Sequence, residues 1–285
     1  MCIRDSINSK EPNDLKLRPI ISGLECPTRN LSNIIDKIIK PLLAHVTSYT
    51  EDSIDFLNKC KRETSENAIL VTFDFCIPHT LGIEAIKYFL EEHPASIDSR
   101  FKSDFVIEGI HFIVKNITFT FNGENYLHLV GTAIGTIFAP TYATLVVGYL
   151  EMKLYSIIEV KYGEKQRKNF EENWYRFLDD CFMVLKAIVK PNDLLEILNG
   201  INPAIQITME ESDKTLPFLT LIKNKNDKML WMGIYSKPTD AKRFSSFSSC
   251  HPNHCLKNIL YCLARRMCMI VENKSQRDFK FNELK

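Results

Sequence analysis

Apolar positions along the chain recur first at helical and then at strand spacing. In "LSNIIDKIIKPLLAHV", Leu31, Ile34, Ile35, Ile38, Ile39, Leu42 and Leu43 share one helical face, Thr28 or Asn30 is placed to cap it, and Pro41 kinks or ends it. "SIDFLNKCK" predicts a second, short helix. "AILVTFDF" is a β-rich apolar run of strand length that ends near Asp74, and "LGIEAIKYFLEEH" returns to helical spacing. "ITFTFNGENYLHL" alternates on both sides of Asn122-Gly123, a strong hairpin signal.

A helix is predicted after Pro140, followed by a strand, the pair Asp179-Asp180, and a second strand. "NDLLEILN" reads as a helix. "IQITMEE", "PFLTLIKN" and "MLWMGIYSK" read as three strands, and "CLKNILYCLARRMCMI" as a closing helix. No repeat, low-complexity tract or linker interrupts the series, so the elements predict one interleaved α/β (α+β) body. Leu129 to Leu150 carries no charge, but its two Gly-Thr pairs and its Ala-Pro read as a buried turn and helix rather than a membrane span.

Composition changes this picture little. The chain has 285 residues and a formal charge of +1, so net charge selects no partner. Charge distribution says more: residues 241–285 hold nine Lys/Arg against three Asp/Glu, a basic end on an otherwise acidic body. The nine cysteines are scattered without a paired framework, which fits free thiols in a reducing compartment, nuclear or cytoplasmic. "CHPNHC" offers Cys250, His251, His254 and Cys255 as zinc donors, although neighbouring Cys-His side chains do not readily turn to one tetrahedral ion.

The chemistry concentrates in "WYRFLDDCFMVL". Two carboxylates stand between two strand-length runs, and a hairpin would lift both to its tip. Asp74 ends another apolar strand. If those strands are neighbours, three carboxylates share a sheet edge, where like charges repel unless a cation holds them. Mg²⁺, a hard ion that takes one or two carboxylates and leaves its other positions to phosphates and water, suits such a set. The plainer reading is a β-turn, because Asp tolerates turn geometry and accepts local backbone hydrogen bonds.

Seven segments occur in a telling order: "LRPIISG", "ILVTFD", "GTAIGTIFAPTYATLVVGYLE", "RFLDDCF", "PFL", "YSKPTD" and "SCHPNH". Together they resemble the reverse transcriptase domain of Penelope-like retroelements, a lineage related to telomerase reverse transcriptase, from about Leu17 to Arg266. The resemblance implies a right-hand polymerase fold: a fingers portion over residues 1–67, a palm over 68–245 with a fingers hairpin inserted around 104–130, and the start of a helical thumb over 246–285, with no endonuclease domain. It implies an RNA-directed DNA polymerase acting on an RNA template, a DNA primer and deoxynucleoside triphosphates with two Mg²⁺ ions, for which Mn²⁺ substitutes.

Asp74, Asp179 and Asp180 match the family's metal-binding aspartates. Arg18 and Gly135 match positions that meet the incoming nucleotide. Gly131, Ala139 and Pro140, with Tyr235, Lys237 and Asp240, match positions along template and primer.

Two departures stand out. The family's loop after the first aspartate resembles "FDVTSLYTNIPH"; here "FDFCIPHT" is about five residues shorter and lacks the aromatic that excludes ribonucleotides. At a strand rise of 3.3 Å per residue this removes on the order of 16 Å of chain. "PFLTLI" lacks the family's Asp after "PFL", and one residue lost within a strand flips the facing of all that follows. These breaks predict a fragment or decayed copy of a reverse transcriptase, with a catalytically inactive nucleic-acid-binding relic of the same fold as the alternative.

Overall fold

The structure, a computed structural model, describes residues 26–65, 68–76, 79–121, 123–127, 135–186, 188–202, 206–224, 228–236 and 250–283. It bears out the expected mixture of helices and antiparallel sheet. The chain divides into two compact units: residues 1–49, 74–171 and 195–208 form the first, and 50–73, 172–194 and 209–285 the second.

The first unit is mainly helical. Helix α1 (Arg29–Ile39) gives way to a 3-10 turn over Lys40–His45 with Pro41 in its first turn, as the proline predicts. Thr28 is the residue at the N-cap, though its side chain makes no capping bond. Helix α2 (Ser53–Lys59) belongs to the second unit and is capped by the Asp52 carboxylate, which accepts from the amides of Ile54 and Asp55. Helices α3 (His79–Glu92), α4 (Ser103–Lys115) and α5 (Ala139–Tyr162) build the first unit's core with α1, burying Ile35, Ile39, Ile86, Phe89, Ile110 and Leu145. Strands β2 (Thr118–Phe121) and β3 (Glu124–Leu127) form the predicted hairpin, with Gly123 at φ +81 in its turn.

Two approaches in this unit are unusually close. Gly109 of α4 faces Ile35 of α1, and Gly82 of α3 lies against the buried phenol of Tyr142 on α5. Beside the second contact the Tyr149 hydroxyl donates to Glu84, and Lys153 pairs with the same carboxylate at 3.1 Å. Helix α5 also carries Glu151, which is buried and accepts a hydrogen bond from the Ser48 hydroxyl. No helix among the described residues is long and apolar enough to cross a membrane.

Helix α6 (Glu164–Asn173) leads out of the first unit into strands β4 (Trp174–Phe177) and β5 (Asp180–Leu185). With β1 (Ile69–Cys76) and β6 (Gln206–Ser212) they form a sheet of order β4-β5-β1-β6, helix α7 (Pro191–Ile201) lying between β5 and β6 in sequence. Alternation gives β4 and β5 two faces. Tyr175, Phe182 and Val184 join Phe56, Leu70, Leu216, Phe218 and Ile222 in one apolar cluster, and Phe56 meets Tyr175, Phe182 and Phe218 edge-on. On the other face Trp174 stacks on Phe73, the residue just before Asp74, at 5.3 Å.

Cys60 sits in this cluster, and burial pushes its thiol up to about 12. The neutral thiol is thus favoured in the folded state, a contribution fully present below the ordinary thiol range and lost as pH rises through about 12. At pH 8 the buried Cys60 is expected to react with iodoacetamide at least about tenfold more slowly than the exposed Cys250, as read by mass spectrometry of timed aliquots. Equal rates would mean that the cluster opens freely.

The run "PFLTLIKN" is two strands rather than one. β7 (Thr215–Phe218), β8 (Thr220–Asn224) and β9 (Leu230–Gly233) make a three-stranded sheet in which Phe218 pairs with Thr220, leaving Leu219 alone in the turn at φ +52. Leu219, the residue after which the resemblance expects an aspartate, thus stands in a turn rather than within a strand. Thr220 and Ile222 face the core together with Leu216 and Phe218, at the cost of a left-handed leucine. Helix α8 (Asn253–Ile270) packs on α2, and α9 (Lys274–Glu283) follows it.

Candidate active site

The two runs flanking the aspartate pair form the tight hairpin that their length predicts. Trp174 pairs with Met183, Arg176 with Cys181 and Phe177 with Asp180, so only Leu178 and Asp179 lie in the turn. Asp179 is half-buried there, and Asp180 is exposed as the first residue of β5.

The turn has one unusual backbone position, and an aspartate does not occupy it. Leu178 has φ +55, a region where side chains other than those of Gly, Asn and Asp are disfavoured by roughly 1–2 kcal/mol. Were the carboxylates present for turn geometry, the left-handed position is where one would stand. Left-handed turn geometry therefore does not account for the pair.

The residue that holds this turn went unnoticed in the sequence. Arg176 is fully buried, and its Nη1 donates to the Leu178 carbonyl oxygen at 3.0 Å. Its own carbonyl accepts from the Thr50 amide at 2.8 Å, tying β4 to the segment before α2. The available signal was an arginine at an inward-alternating position of an apolar run, Trp174 to Phe177, where an unassisted charge is costly.

Asp74 lies on β1, the strand next to β5 in the sheet; its side chain falls outside the described residues. β1 continues to Cys76, and α3 begins at His79, so two residues make the connection that the family resemblance expects to be longer.

Gly135 is in an exposed turn at φ +109, a conformation open to glycine. Ala139 and Pro140 open α5, with the proline in the first turn where its missing amide costs nothing. Tyr235 is exposed beyond the end of β9. Arg18, Gly131, Lys237 and Asp240 lie outside the described residues.

Two hard carboxylates at a hairpin tip, one of them solvent-exposed, are the donor chemistry that Mg²⁺ takes, and it needs no more than one or two from protein. Among the described residues no group of three or more His, Cys, Asp or Glu side chains is arranged to hold an ion. In the "CHPNHC" segment His254 Nε2 and Cys255 Sγ approach to 3.4 Å as neighbours on α8.

No protein-family model and no curated protein matches the chain. Among solved structures it is similar to the RNA-dependent RNA polymerase of a human picorbirnavirus, with 12% identity and a TM-score of 0.42 over 75% of this chain and 36% of that one. It is also similar to the insertion-loop deletion mutant of that enzyme, with 12% identity and a TM-score of 0.40 over 64% and 34% of the two chains. The chain thus spans between 34% and 36% of the length of those polymerases, and at this level of similarity neither their activity nor their substrates transfer to it.

Proposed function

We propose that the chain is the core of a template-dependent nucleotidyltransferase with a right-hand polymerase fold, specifically an RNA-directed DNA polymerase of the Penelope-like lineage. The observation that carries the reading is the Asp179-Asp180 hairpin, whose two-residue turn brings both aspartates to its tip while a leucine takes the left-handed position. Three things support it: the neighbouring order of β5 and β1, the strand that bears Asp74; the order of the seven sequence segments; and the oxygen-only donor set.

In this reading Asp74, Asp179 and Asp180 hold divalent ions. Mg²⁺ when bound lowers the barrier to in-line phosphoryl transfer by stabilising charge on the attacking and leaving oxygens. The overall reaction joins the primer 3′-oxygen to the α-phosphorus of a deoxynucleotide, with loss of the hydroxyl proton and release of pyrophosphate. Gly135, without a Cβ, lets backbone approach the nascent base pair, and Arg18 meets the triphosphate. Gly131, Ala139 and Pro140 lie along the template, while Tyr235, Lys237 and Asp240 hold the primer end. A nuclear or cytoplasmic location belongs to the same reading.

A second reading, a nucleic-acid-binding relic without activity, is favoured by the two-residue connection between β1 and α3. Primer extension on an RNA template with Mg²⁺ separates the two. Extension that disappears in Asp179→Ala, with salt-sensitive nucleic-acid binding retained, is expected of the polymerase. Binding that persists with no extension, even after the connection is restored to family length, leaves only the relic.

A further inference from the structure

A guanidinium taken wholly out of water costs several kcal/mol unless its donors are used. At Arg176 an apolar residue would serve the core as well, since Trp174 and Tyr175 beside it are buried without charge. The arginine instead spends a donor on a carbonyl two residues ahead, at the one left-handed position of the carboxylate hairpin. Strained backbone of this kind persists only where its surroundings over-determine it. Here the constraints include the Arg176–Leu178 bond, the pairing of Phe177 with Asp180, and the bond from the Thr50 amide to the Arg176 carbonyl. All of these groups lie in the second unit.

We propose that Arg176 is a positioning residue: its buried guanidinium locks Leu178 in the left-handed conformation and thereby fixes the direction in which Asp179 and Asp180 leave the hairpin. Fully buried, the arginine acts through the turn. The functional weight of this assignment rests on the reading of the two aspartates as ion ligands, but the lock itself is a property of the turn and is measurable without any ion.

The experiment compares the full chain with Arg176→Met, Arg176→Lys, and Arg176→Met combined with Leu178→Gly, after circular dichroism has established which variants are folded. Amide hydrogen exchange over the peptide spanning Phe177 to Phe182 reports the lock, and Mn²⁺ titration followed by electron paramagnetic resonance reports the carboxylates. Asp179→Asn is included to identify binding at the hairpin.

Arg176→Met is expected to speed exchange in that peptide by about tenfold, the scale of one lost buried hydrogen bond from a charged donor, and to weaken Mn²⁺ binding similarly. Leu178→Gly in the same chain is expected to restore both in part, because glycine takes the left-handed conformation unaided. A cavity or general loosening would not be repaired by that glycine. Unchanged exchange in a folded Arg176→Met chain overturns the proposal, as does failure of the glycine to restore anything. If Arg176→Met does not fold, Arg176→Lys carries the same comparison, with its own Leu178→Gly partner. If Asp179→Asn leaves Mn²⁺ binding unaltered, the reading of the aspartates as ligands fails, while the exchange data still decide for or against the lock.

Discussion

Inserting about five residues between Asp74 and Ile77 is expected to raise the rate of RNA-templated primer extension by about a hundredfold or more, whether the starting rate is low or undetectable. β1 ends at Cys76 and α3 starts at His79, so the strand that carries Asp74 is tethered to a packed helix by two residues. Helix α3 cannot yield to slack the tether, because Leu81, Ala85, Ile86 and Phe89 are buried in the first unit's core. If Asp74 is an ion ligand as proposed, the short connection limits where β1 can carry it, and a displacement of about 1 Å from productive geometry costs on the order of a hundredfold in rate. The insertion also returns the connection to the length it has in the reverse transcriptases that the sequence resembles.

Single-turnover extension with the natural and the lengthened chain measures the effect, and Asp179→Ala in the lengthened chain is expected to abolish it. A lengthened chain no faster than the natural one would show that the short tether is not what limits the rate.

Gly82→Ala is expected to destabilise the first unit by about 3 kcal/mol, the upper end of what overpacking costs. A Cβ built on Gly82 falls 1.5 Å from the Tyr142 hydroxyl oxygen and 2.2 Å from the ring carbon that bears it. Those are atoms of a fully buried ring that also touches Phe138 at 5.2 Å between centroids, so the ring has nowhere to swing. Helices α3 and α5 must move apart instead, which also strains the pairing of Glu84 with Tyr149 and Lys153.

Urea unfolding gives the measure, and Tyr142→Leu in the Gly82→Ala chain is expected to recover part of the loss by removing the colliding atoms. Gly200→Ala is the control: nothing lies within 4 Å of its added methyl, so it is expected to stabilise α7 by about 0.5–1 kcal/mol through helix propensity alone. If the two alanines behave alike, the α3–α5 contact is looser than its geometry indicates.

Several elements were legible in the chain because their causes are local. The proline ends α1 where a missing amide must, Gly123 stands in the turn of the β2–β3 hairpin that its sequence predicts, and the apolar runs around the aspartate pair are too short for anything but strands. Others were not. Helix α6 has no apolar stripe, only Phe170 being buried, and is supported by the pairs Glu164–Lys168 and Arg167–Glu171, so hydrophobic spacing is silent there. The split of "PFLTLIKN" at Leu219 was hidden because a leucine carries none of the usual turn chemistry.

The sequence by itself determined most of the helices and strands, the hairpin that carries Asp179 and Asp180, and the order of the polymerase-like segments. Each of these depends on side-chain periodicity or turn chemistry acting over a few neighbouring residues. Only the tertiary structure decided that β1 lies beside β5, across roughly a hundred residues of intervening chain, that a buried arginine braces a strained leucine at the aspartate turn, and that Gly82 is a contact rather than a flaw. These follow from which faces pack against which. That choice is made by the burial of surfaces distant in sequence, and no local pattern encodes it.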